Sequence, residues 1–82
     1  MALACKFKKE NDSIQLSVYY LYTFGPGRYP IFVISFMKKG NDFIYSNTRV
    51  PPIILKRLID MNIVEYDEPF LKLTTKSLLD AL

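Results

Sequence analysis

Three clusters of turn-forming residues decide where this chain can run straight. Gly25-Pro26-Gly27-Arg28-Tyr29-Pro30 puts two prolines and two glycines into six residues, which leaves no regular backbone pairing. Lys38-Lys39-Gly40-Asn41-Asp42 is a second break, because Gly40 and Asn41 both tolerate positive φ. The third spans Ser46 to Pro52 and ends in the pair Pro51-Pro52. No internal repeat and no linker long enough to divide domains appears between them. The 82 residues therefore read as one domain over 1–82.

Between the breaks, Ser13 to Phe24 carries two periods at once. Ile14, Val18, Leu21 and Tyr22 fall on one helical face, with Ser13 available as N-cap. Taken in steps of two, Ile14, Leu16, Val18, Tyr20, Tyr22 and Phe24 alternate without a miss, and the β-branched and aromatic content suits a strand. Ile31 to Met37 is a short apolar run that periodicity does not resolve, and Phe43-Ile44-Tyr45 reads as a short strand.

The second half is clearer. Val50 precedes a proline and is pushed to an extended conformation. Pro51 or Pro52 then opens a helix, where a missing N–H costs nothing. Ile54, Leu55, Leu58, Ile59 and Met61 mark its apolar side, and Lys56, Arg57 and Asp60 the other. Asn62 supplies the stop. Ile63 to Asp67 and Phe70 to Leu73 read as strands around an Asp67-Glu68-Pro69 turn, and Thr74 or Thr75 caps a last helix bearing Leu78, Leu79 and Leu82.

Leu55-Lys56-Arg57-Leu58-Ile59-Asp60-Met61-Asn62-Ile63-Val64-Glu65-Tyr66 and Leu71-Lys72-Leu73-Thr74-Thr75-Lys76-Ser77-Leu78-Leu79 together resemble the C-terminal half of a winged helix-turn-helix domain, over about residues 48–82. The first resembles a recognition helix running into a wing strand, the second the returning strand and the final helix. The resemblance implies an α+β fold: a small winged helix, with helices and a two- to three-stranded antiparallel wing. It also calls for a helix over 13–24. The alternative is a three-stranded meander over Ser13–Asn47, followed by helix, hairpin and helix. In that family the third helix enters the DNA major groove and the wing touches flanking backbone. The implied contacts with duplex DNA here are Lys56 and Arg57 on the helix, Arg49 at its start, and Lys38 and Lys39 on flanking phosphates.

Charge agrees with a polyanionic partner for the first two-thirds of the chain. Residues 1–57 hold nine Lys/Arg against three acids, and residues 58–82 hold two against five. The acids Glu65, Asp67 and Glu68 sit where a wing would meet phosphate and would repel it, which favours a second expectation: a protein–protein adaptor or dimerisation module. Nine aromatics lie between Tyr19 and Tyr45, more apolar surface than a core of this size absorbs. Tyr19, Tyr20, Tyr22, Tyr29 and Phe32 are the expected contact residues, for a homodimer or another protein.

Catalysis finds little material. Without histidine the commonest general base and metal ligand are missing, and a single cysteine makes neither an internal disulfide nor a multi-cysteine zinc site. Ser17, Ser35 and Thr74 have no histidine to activate them. The expectation is a non-enzyme without cofactor or metal. The start of the chain is too short for a signal peptide, and the longest uncharged stretch, Ser13 to Gly27, falls short of a bilayer span. A cytoplasmic protein with no membrane partner is expected.

Overall fold

The computed structural model describes residues 3–20, 29–45 and 49–82. Its strands are β1 (Leu3–Lys9), β2 (Ser13–Tyr20), β3 (Phe32–Lys39), β4 (Asp42–Tyr45), β5 (Val64–Asp67) and β6 (Phe70–Leu73). Its helices are α1 (Pro52–Asp60), between β4 and β5, and α2 (Thr75–Ala81), after β6. The six strands form a single sheet in the order β1-β2-β3-β4-β6-β5, with every neighbouring pair antiparallel.

The step-of-two pattern wins over residues 13–20. Ile14, Leu16 and Val18 are fully buried, while the residues between them are only half-buried. Register carries that face across the sheet: Ile14 lies opposite Phe36, Leu16 opposite Ile34 and Phe7, and Tyr45 opposite Leu71. Phe36 and Tyr45 meet ring to ring at 6.0 Å between centroids. The helices cover this inner face. Leu58 of α1 is fully buried, and Ile54, Leu55, Leu78 and Ala81 pack against the same cluster.

The winged-helix fold is therefore overturned. The helix expected over 13–24 is a strand throughout its described part, and no helix stands between it and α1 among the described residues, where β3 and β4 lie instead. The resembling αββα unit is real at the level of elements but is not a free wing. β6 pairs with β4, Ile44 opposite Lys72 and Tyr45 opposite Leu71, so both wing strands are consumed as one side of a larger sheet. The three-stranded meander also falls short. Leu3–Lys9 adds a strand ahead of β2, giving four consecutive antiparallel strands in a mostly β fold.

Local chemistry explains the ends. β3 and β4 are joined by Gly40-Asn41, with positive φ at Gly40 alone of the two. A two-residue hairpin of that pattern places glycine first, because a Cβ there disfavours the left-handed region. α1 begins with extended Pro51 ahead of Pro52 and has no side-chain cap. It ends in a Schellman motif: Ile63 N–H donates to the Leu58 carbonyl at 2.9 Å, and Asn62 N–H to Ile59 at 3.0 Å. Asn62 takes the left-handed position, φ 60°.

Candidate nucleic-acid interface

Each expected cation is exposed. Lys38 and Lys39 end β3 beside the hairpin turn, Arg49 precedes α1, and Lys56 and Arg57 stand on the outer flank of α1. Along the chain they fall into two groups, one at the end of β3 and one at α1, and within the first, Lys38 and Lys39 point to opposite faces of the sheet. The outer flank of α1 is a depression of about 340 Å³ lined by Ile53, Lys56, Arg57 and Asp60, all on the one helix. It is a helix side rather than an enclosed cavity.

Electrostatics sort these groups further. Ion pairs among the described residues join Lys8 to Glu10 at 3.8 Å and Lys72 to Glu65 at 3.6 Å. Lys56 and Asp60, four apart on a helix and so spaced for a surface pair, are not among them. Lys39 lies 5.3 Å from the centre of the Phe70 ring. Lys6 lies 5.7 Å from that of Tyr19. Cations over aromatic faces gain from the ring quadrupole.

The face of the sheet turned away from the helices is lined by the alternate residues: Lys6 and Lys8 of β1, Gln15, Ser17 and Tyr19 of β2, Val33, Ser35 and Met37 of β3. Lys6 and Lys8 escaped the expected contact set. Their signal was present as the alternation of Leu3, Cys5 and Phe7 with Ala4, Lys6 and Lys8, but only pairing with β2 turns it into a face.

Of the expected partner residues, Tyr29 is 83% exposed and Tyr20 47%. Tyr19 is half-buried beside Lys6, and Phe32 is half-buried against the core, so those two are less available than expected. Tyr22 lies outside the described residues. Val33 and Met37, on the open face, were not foreseen as exposed.

The described residues hold no group of three or more acid or cysteine side chains placed to bind a metal ion. Burial pushes the Cys5 thiol up, away from the reactive thiolate. No helix among them is long and apolar enough to cross a membrane. Comparison with protein-family models, with curated proteins and with solved structures finds no match to this chain.

Proposed function

We propose that this protein is a non-catalytic nucleic-acid-binding module that holds duplex DNA by its phosphates, with Lys38, Lys39, Arg49, Lys56 and Arg57 as the contacts. One observation carries the reading: all five side chains are exposed, and none lies within ion-pair distance of an acid among the described residues. A cation already neutralised by a neighbour has little to gain from phosphate, whereas a free one gains by releasing condensed counterions. Base reading has less support, because α1 is not mounted as a winged-helix recognition helix and its outer flank includes Ile53 and Asp60. The contact is accordingly with backbone and largely indifferent to sequence.

Retardation of random-sequence duplex at low salt tests this. The expected result is binding whose affinity falls steeply as salt rises, with a shallower salt slope in the Lys56→Ala/Arg57→Ala protein. No retardation at low salt, or an unchanged slope in the double variant, overturns the reading.

A second reading, a protein-binding adaptor using the 14–36 region, is favoured by the exposure of Tyr20, Tyr29 and Val33 within it and of Met37 directly after it. Co-purification of a stoichiometric protein partner, lost in a Tyr29→Ala/Met37→Ala variant, supports it over the first.

A further inference from the structure

The open face of the sheet continues past β3 to Ile44 of β4, Phe70 and Lys72 of β6, and Glu65 and Asp67 of β5. None of its described residues is buried. The contrast is sharpest on β3, mid-sheet, where Val33 and Met37 are 43% and 56% exposed while Ile34 and Phe36 between them are fully buried. An antiparallel sheet that packs helices on one side only leaves such a face to water or to a partner.

Charge is sorted across this face by strand. β1, outermost on one side, puts Lys6 and Lys8 there and no acid. β5, outermost on the other, puts Glu65 and Asp67 there and no cation. The central strands β3 and β4 set Val33, Met37 and Ile44 between the two, with Lys39 and Asp42 beyond them at one end. Cations, apolar centre and acids therefore follow one another from β1 to β5. Such a surface is the complement of itself when turned over about an axis along the strands.

We propose that two copies of this chain dimerise face to face through this surface, as a closed two-fold pair of stacked sheets. With the axis parallel to the strands, β1 of each copy lies over β5 of the other, which brings Lys6 and Lys8 above Glu65 and Asp67. β3 lies over β4, which closes Val33, Met37 and Ile44 against their counterparts as the apolar centre. The other aligned stacking, with the axis across the strands, sets β1 over β1 and β5 over β5, lysine on lysine and acid on acid. Lys8 and Glu65 have partners within their own chain, Glu10 and Lys72, and surface pairs of that kind exchange at little cost.

The face measures about 24 Å across its six strands and up to about 26 Å along them. That falls somewhat short of the roughly 800 Å² that each partner gives to a standard interface, so the dimer is weak and forms at high protein concentration. Lys56 and Arg57 stand on the helix side, away from the contact, and Lys39 falls at its rim. Dimerisation and the proposed phosphate contacts thus stand or fall separately.

Sedimentation velocity of the full chain, in reducing buffer and from low micromolar to near-millimolar protein, tests the proposal. The weight-average mass is expected to rise toward twice the 9.6 kDa of one chain and to stop there, with weaker association at high salt. Met37→Asp, at an exposed position of the single chain, should raise the dissociation constant about tenfold or more. Lys6→Glu/Lys8→Glu and Glu65→Lys/Asp67→Lys proteins, each checked for native far-UV circular dichroism, should both sediment as single chains. Their equimolar mixture should dimerise, and so should the chain carrying all four changes, because each restores lysine over acid. A wild type that stays at 9.6 kDa throughout overturns the proposal, whether its open face then holds another protein, a nucleic acid or nothing. So do a mass that climbs past two chains, charge variants that dimerise as the wild type does, or a mixture that stays monomeric.

Discussion

At the scale of single residues, the most tightly specified chemistry joins the start of α2 to the end of α1. Thr74 and Ser77 are both buried, and their hydroxyls have distinct tasks. Thr74 Oγ1 accepts from Ser77 N–H at 3.2 Å, capping α2, and donates to the Asn62 carbonyl at 2.7 Å. Ser77 Oγ donates to the Ile63 carbonyl at 2.6 Å. Each hydroxyl proton is thereby used, and two carbonyls at the α1–β5 turn gain partners. Thr74→Val keeps the shape and removes the hydroxyl, which uncaps the helix and strips a partner from Asn62. The expected loss is about 1–3 kcal/mol, read as a lower urea midpoint with unchanged m-value. The sequence shows Thr74 as a cap; its second role, bracing a turn twelve residues upstream, depends on contacts that no local pattern encodes.

At the scale of elements, turns and helix ends were legible and strand partners were not. Asn62 as a helix stop, proline at the start of α1 and the Gly40-Asn41 break all follow from φ preferences that need no distant contact. Gly40 offers a clean check, because a Cβ built there meets nothing within 4 Å. Any cost of Gly40→Ala is then conformational rather than steric. It should destabilise by about 1–2 kcal/mol in thermal or urea unfolding, and Gly40→Asn by less. The 13–20 segment shows the opposite situation. Its apolar residues satisfied both a helical face and a strand face, and the difference lay in what flanked it. β1 on one side and β3 on the other pair with its backbone and bury Ile14, Leu16 and Val18; an isolated helix would pair its own backbone but bury none of the three.

At the scale of the whole molecule, one layer of sheet carries two helices on its inner face, and the core runs from Leu3 through Ile34 and Phe36 to Leu73 without interruption. Phe36 sits mid-sheet, fully buried, with Tyr45 beside it and Ile14 across from it. Phe36→Ala should cost about 3–5 kcal/mol, against a total of about 5–15 kcal/mol for an ordinary domain. A single transition at much lower denaturant is the expected readout. Separate loss of the α1–β5–β6–α2 segment would show that the core is divided. The candidate cations were visible in the sequence as residues, but not as free charges. Lys56 and Asp60 had the spacing of a pair and do not form one, while Lys6 and Lys39 found aromatic rings from other strands. What the sequence determined alone was punctuation and local chemistry: where the chain turns, how its helices start and stop, and which residues alternate. These depend on forces acting within a few residues. The tertiary structure decided which period residues 13–20 obey, that β6 joins β4 instead of standing as a wing, and which of the described cations meet an acid or an aromatic ring. Each of those outcomes is settled by hydrogen bonds and buried surface shared between segments far apart in the chain.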